Sequence, residues 1–191
     1  LRGVTVVYGG YSTGGTYTQT LEYGPATTAR VHRFGSGCAG SSGVPSLQAA
    51  AGTVPSLGRT FTLDVTNLPA AGGIGAVFYG TSNYQLGPVF LPLDLGVLVL
   101  GLSGMTPGMD LASIGMTGCR LFATPDALET IAGTGNAAVY SLAVPSTTSL
   151  IGTLVYTQAG SLDQNLNPLQ MSISDAAVAL EEWRSILPQA L

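Results

Sequence analysis

Lysine is missing from this 191-residue chain; its six basic side chains are all arginine, scattered as Arg2, Arg30, Arg33, Arg59, Arg120 and Arg184. A nucleic-acid surface needs clustered positive charge to displace counterions, and a chain of net charge −4 without such a cluster predicts no nucleic-acid partner. Only 8% of the residues are charged, against roughly 25% in an ordinary soluble domain. Such a surface is kept in solution by Ser, Thr, Asn and Gln, by glycans, or by burial against neighbouring subunits. The first and third together fit this composition best. The sequence has no Asn-x-Ser/Thr sequon, so glycans as partners would be O-linked to Ser or Thr.

Long apolar runs are also missing. The most apolar stretch, Val89 to Met105, is broken by Pro92 and Asp94 and falls short of the ~20 residues that a membrane helix needs. It reads as buried strand, and no membrane span is expected. The chain opens on Leu1 rather than Met, which fits an export precursor whose signal has been removed and equally a boundary within a longer sequence.

Histidine occurs once, at His32, and cysteine twice, at Cys38 and Cys119. Two thiols without histidine partners do not make a metal cage, so neither a metal nor any other cofactor is expected. Each cysteine follows a glycine, and a Cys38–Cys119 disulfide is the economical reading. It implies an oxidising compartment and an extracellular or cell-surface location.

What the chain does have is a succession of short β-rich runs with turn residues between them. They are Thr28 to Phe34, Thr60 to Val65, Ile74 to Tyr79, Val89 to Leu93, Arg120 to Ala123, Ala137 to Val144, Leu150 to Tyr156 and Leu169 to Ile173. Pro45, Pro55, Pro69, Pro125, Pro145 and Pro168 punctuate them, and Gly133-Thr134-Gly135-Asn136 has hairpin chemistry. This spacing predicts an all-β fold, an antiparallel β-sandwich of jelly-roll or Ig-like type spanning 25–174.

The two ends differ from that body. Residues 1–24 are rich in Gly, Thr and Tyr, and two β-formers flank the hinge Gly9 to Gly15. In the second, Tyr17, Leu21 and Tyr23 share a face with Gln19, opposite Thr16, Thr18, Thr20 and Glu22, the alternation of a half-buried strand. At the other end Ala176, Ala179, Leu180, Trp183 and Leu187 fall at helical spacing before Pro188, which predicts a short C-terminal helix within a tail at 175–191.

Several patterns imitate catalytic motifs. Gly35-Ser36-Gly37-Cys38-Ala39-Gly40 has the letters of a dinucleotide-binding turn, but Ser41-Ser42-Gly43-Val44-Pro45 follows where a helix would have to start. Gly10-Tyr11-Ser12-Thr13-Gly14 has the letters of a nucleophile elbow, in a glycine-hinged segment with no strand–helix frame around it. His32 sits among cations in Arg30-Val31-His32-Arg33, a poor setting for a base. The aspartates Asp64, Asp94, Asp110, Asp126 and Asp163 are dispersed, and Asp126 and Asp163 read as turn caps. No catalytic residue is assigned, and no enzyme is expected.

One set of segments carries a resemblance. Phe34-Gly35-Ser36-Gly37-Cys38-Ala39-Gly40-Ser41-Ser42-Gly43-Val44-Pro45 is followed by Leu57-Gly58, Phe61-Thr62-Leu63, Asn67-Leu68-Pro69 and Leu91-Pro92-Leu93-Asp94-Leu95. Gly118-Cys119-Arg120-Leu121, Pro125-Asp126, Gly135-Asn136-Ala137, Gly152 to Gln158 and Asp163 to Leu169 complete it. Over about residues 34–175 the chain resembles a disulfide-containing β-sandwich module of secreted proteins from environmental bacteria. The resemblance implies structural cysteines and supplies no catalytic residues. Two departures stand out: the Gly96 to Asp110 insertion and the helical tail.

These features predict a structural subunit of an extracellular filament, a homopolymer whose partners are copies of itself. The N-terminal strand of one subunit would complete the sheet of the next, with Val4, Val6, Tyr8, Tyr17, Leu21 and Tyr23 at the interface. A different reading is a secreted carbohydrate- or surface-binding module with Tyr11, Tyr79 and Tyr84 as stacking platforms.

Overall fold

A computed structural model describes residues 5–8, 11–12, 15–16, 20–23, 29–69, 74–95, 119–164, 166–167 and 170–180; for the four segments before residue 29, and for Asp94 and Leu180, it describes the backbone only. The chain is all-β with antiparallel sheets. Four short strands come first: β1 (Thr5–Tyr8), β2 (Tyr11–Ser12), β3 (Gly15–Thr16) and β4 (Thr20–Tyr23). The body then runs through β5 (Arg30–Phe34), β6 (Ser46–Ala49), β7 (Thr60–Thr66), β8 (Ile74–Gly80), β9 (Gln85–Leu86), β10 (Val89–Phe90), β11 (Leu93–Asp94) and β12 (Arg120–Leu121). It closes with β13 (Ala127–Ala132), β14 (Ala137–Ala143), a 3-10 turn at Thr148–Leu150, β15 (Leu154–Leu162) and β16 (Met171–Leu180).

Two sheets make the body. One has the order β13-β8-β15-β16-β5, the other β14-β7-β6. Period-two alternation explains how they meet: on β7, Phe61, Leu63 and Val65 are buried, while Thr60, Thr62, Asp64 and Thr66 lie on the other face. Those three join Leu47, Ala138 and Tyr140 from their own sheet, and Val77, Ile131, Ala159, Ala177 and Ala179 from the five-stranded sheet, in one core. The two layers thus face each other across shared apolar side chains.

The five-stranded sheet is covered on its other face as well. The antiparallel pair β11–β12 and the residues after it lie there, packing Leu91, Leu93 and Leu121 on Phe78, and Ala123 on Tyr156 and Val178. Burial on both faces explains why β8 and β16 are apolar or small at consecutive positions instead of alternating.

Three expectations are corrected. The C-terminal helix is not formed where it overlaps the described residues: Ser174 to Leu180 belong to β16, paired with β15 and β5. Residues 172–179 are all buried, and where nearly every position must be small, alanines fall at helical spacing by chance. The remainder of that helix, including Trp183 and Leu187, lies outside the described residues. Second, the second β-former of the N-terminal segment is not a free arm. β1 pairs with β4 in the register Thr5↔Tyr23, Val7↔Leu21, and β2 pairs with β3. Local pairing closes a far shorter loop than pairing with a distant strand would. Third, Gly133 to Asn136 does not join two strands of one sheet. Thr134 bridges to Ala137, yet β13 pairs with β8 and β14 with β7, so the turn is a corner between the layers. The Gly96 to Asp110 insertion lies outside the described residues.

Candidate functional site

The cysteines are joined as expected. The Cys38–Cys119 disulfide, with its Cα atoms 4.9 Å apart, ties the loop after β5 to the start of β12 and packs on Ile173. The glycines around Cys38 have packing duties. A Cβ at Gly37 would stand 2.5 Å from the Ile173 carbonyl oxygen, one at Gly40 would stand 2.6 Å from Asp163 Oδ2, and Gly35 adopts φ +71° against the Phe122 ring. The Cys38 amide donates to the Ile173 carbonyl at 2.9 Å, and the Ser41 amide to Asp163 Oδ2 at 2.6 Å. The run that spells a dinucleotide turn is thus a tightly packed corner.

Two of the dispersed aspartates are engaged by backbone amides. Asp126 accepts from the Thr81 amide at 2.9 Å and from its hydroxyl at 3.0 Å, and the amide bond above all holds its carboxyl below the usual range. It therefore secures the Thr81 turn, as its cap reading implied. Asp163 instead secures the Gly40 corner across the chain. Asp64 lies on β7, and Asp110 and the side chain of Asp94 are outside the described residues. His32 is exposed on β5, opposite Val178. Ser12 has only its backbone described, opposite Gly15 on β3. Among the described residues no three His, Cys, Asp or Glu side chains gather as a metal site, and no helix is long and apolar enough to cross a membrane.

Two buried polar residues that sequence reasoning missed hold the layers in place. Gln158, fully buried on β15, accepts from the Phe122 amide at 2.9 Å and donates to the Arg120 and Ser174 carbonyls at 2.9 and 2.8 Å. It fixes the covering segment on the outer face of the five-stranded sheet. Asp175 on β16 accepts from Arg33 and from the Leu47 amide, linking the sheets. The signal available for both was a polar residue inside an otherwise apolar or small run.

Among the described residues the cover on the outer face stops short of β13. Beyond Leu121 and Pro125 lies a groove of about 420 Å³, walled by Ile74, Ala76, Phe78, Leu128 and Ile173, with almost no polar surface. Its Ser161 hydroxyl is occupied by that of Ser172 at 2.7 Å. Ile74, Leu128 and Leu162 stand on it 58%, 61% and 51% exposed. A groove of this volume with an apolar lining has the form of a contact surface or of a site for an apolar ligand.

The expected arm residues divide. Val6, Tyr8, Leu21 and Tyr23 come together on the β1–β4 ladder, while Val4 and Tyr17 lie outside the described residues. In the observed register Thr5, Val7, Leu21 and Tyr23 share one face parity, and Val6 and Tyr8 share the other with Thr20 and Glu22. Of the expected stacking tyrosines, Tyr79 is half-buried and donates to Glu129 at 3.0 Å, and Tyr11 has only its backbone described. Tyr84 is exposed and pairs with exposed Phe90 at a centroid distance of 5.3 Å.

Comparison of the chain with protein-family models and with curated proteins finds no match.

Proposed function

We propose that this chain is a structural subunit that assembles head to tail with copies of itself into an extracellular filament, using its N-terminal β-hairpin as the connecting element. The observation that carries this reading is the open apolar groove beside β13. Leaving it in water is unfavourable at ~25 cal/mol per Å² of apolar surface, and a neighbouring subunit would remove that cost. The hairpin supplies a matching need. Its strands join neither sheet of the body, and a lone two-stranded hairpin is marginally stable in water unless it packs on something. A contact between unlike patches does not close on itself and so produces a fibre. A charged fraction of only 8% suits a subunit whose surface is largely covered, and the disulfide suits an exported protein.

Electron microscopy and sedimentation of the full chain over rising concentration test the reading. Filaments are expected for the full chain, and a folded monomer for the variant lacking residues 1–24. Filaments from the truncated variant would show that the hairpin is not the connector. No hydrolytic turnover is expected in a broad substrate screen, and activity lost in Ser12→Ala or His32→Ala would contradict the non-enzymatic assignment.

A second reading, a carbohydrate- or surface-binding module, is favoured by one observation. Tyr84 and Phe90 form an exposed aromatic pair at the β9–β10 hairpin, the kind of platform on which sugar rings stack. Retention on insoluble polysaccharide that Tyr84→Ala abolishes would favour it over the filament.

A further inference from the structure

The body has four sheet edges: β13 and β5 on the five-stranded sheet, β14 and β6 on the three-stranded one. They are not equally open to another strand. β5 carries exposed Arg30 and Arg33, and charges along an edge discourage pairing. On β6 the Leu47 amide is already taken by Asp175 at 2.9 Å. β14 borders a polar outer face, where Thr62 and Ser141 hydroxyls lie 3.4 Å apart and Asp64 follows on β7. β13 differs from all three. Its one charge, Glu129, accepts from Tyr79, and the apolar groove begins at its Leu128.

The position of β13 also decides whose hairpin can reach it. The hairpin enters the body at β5, and the order β13-β8-β15-β16-β5 puts β5 and β13 at opposite edges. Four strand spacings of ~4.8 Å separate them, so a strand added beyond β13 lies roughly 24 Å from β5. From Tyr23, the end of β4, to Arg30, the start of β5, there are seven residue steps, which span at most ~25 Å when fully straight. The two figures are nearly equal, so a chain's own hairpin would reach that edge only with its connecting residues drawn out almost straight. A neighbouring molecule's hairpin meets no such restriction.

We infer that the β13 edge and the groove beside it receive the N-terminal hairpin of a second copy, which adds its two strands to the five-stranded sheet and lays apolar residues over Ile74, Leu128 and Leu162. This inference rests on the reading of the chain as a self-assembling subunit. It gives each subunit a donating end at β5 and a receiving end at β13, on opposite edges of one sheet, which is the polarity an open chain of subunits needs.

Two measurements on the full chain test it. In the first, Leu128→Lys is compared with Val139→Lys, a change at a side chain 63% exposed on β14. Leu128→Lys should raise the concentration needed for filaments at least tenfold, while Val139→Lys leaves it unchanged and both retain the wild-type melting temperature. In the second, a photo-cross-linking residue at position 128 is used in a mixture of isotopically light and heavy chains. Cross-links joining position 128 of one copy to residues 5–23 of another are expected. If wild-type filaments form but Leu128→Lys assembles equally well, or the cross-links fall elsewhere or within one copy, the receiving site is wrong while self-assembly stands. If the wild-type chain forms no filaments at all, the functional reading fails and the receiving site with it.

Discussion

Asp175 accepts the backbone N–H of Leu47 through Oδ1 at 2.9 Å, from the opposite sheet and 128 residues away in sequence. Its other oxygen takes Arg33 at 2.6 Å, and Arg33 in turn donates to Ser46 at 2.8 Å. A single carboxylate therefore satisfies a fully buried amide on β6 and fixes β5 beside it. Replacing it by alanine leaves that amide without an acceptor. Asp175→Ala is expected to lower unfolding free energy by about 2 to 4 kcal/mol. Asp175→Asn keeps a carbonyl for Leu47 but gives up both the ion pair and the hydrogen bond with half-exposed Arg33, so its loss should be smaller than that of the alanine variant. Urea denaturation of both variants measures this, and equal losses would show that the Leu47 bond is not what matters.

The Cys38–Cys119 bridge closes a separation of 81 residues. Restricting a loop of that length in the unfolded chain stabilises the fold by about 4 to 5 kcal/mol in the chain-entropy description. A double Cys38→Ala, Cys119→Ala variant should lose most of that amount in denaturant titration. Intact mass before and after reduction gives the companion check: two free thiols in the untreated chain would contradict the bridge.

These two links differ in how far the sequence revealed them. The disulfide was legible because only two thiols exist and each sits at a Gly-Cys step. Asp175 and Gln158 were not, because their partners are backbone groups brought close only by the completed sheets. The strands show the same division. β7 and β14 were readable from alternation such as Phe61, Leu63, Val65, whereas β6 offers one fully buried residue, Leu47, and β13 buries only Ile131. β16 misled because a strand covered on both faces selects small residues at every position, and small residues carry no period. The groove was out of reach for a further reason. Alternation shows which residues of β8 share a face, not how far another segment covers that face.

Tyr140 supplies the last prediction. Its ring lies in the shared core, 6.4 Å from that of Tyr79, and its buried hydroxyl has no hydrogen-bond partner among the described residues. Removing an unsatisfied polar atom relieves a desolvation penalty, so Tyr140→Phe should leave stability unchanged or raise it by up to about 1 kcal/mol. The same hydroxyl gives the fold an alkaline limit. Burial, then the nearby Tyr79 and Glu129, raise the Tyr140 pKa well above its ordinary 10.0, and burial followed by the Glu129 hydrogen bond raises that of Tyr79. Both groups thus keep their protons in the folded chain at a pH where the unfolded chain releases them. Their contribution is fully present below about pH 10 and is lost as the pH rises through the folded values. Urea midpoints measured from about pH 8 to about pH 11 should be flat and then fall, and the fall should be shallower in Tyr140→Phe, which retains only the Tyr79 share. Parallel curves for the two proteins would mean that Tyr140 does not set the alkaline limit.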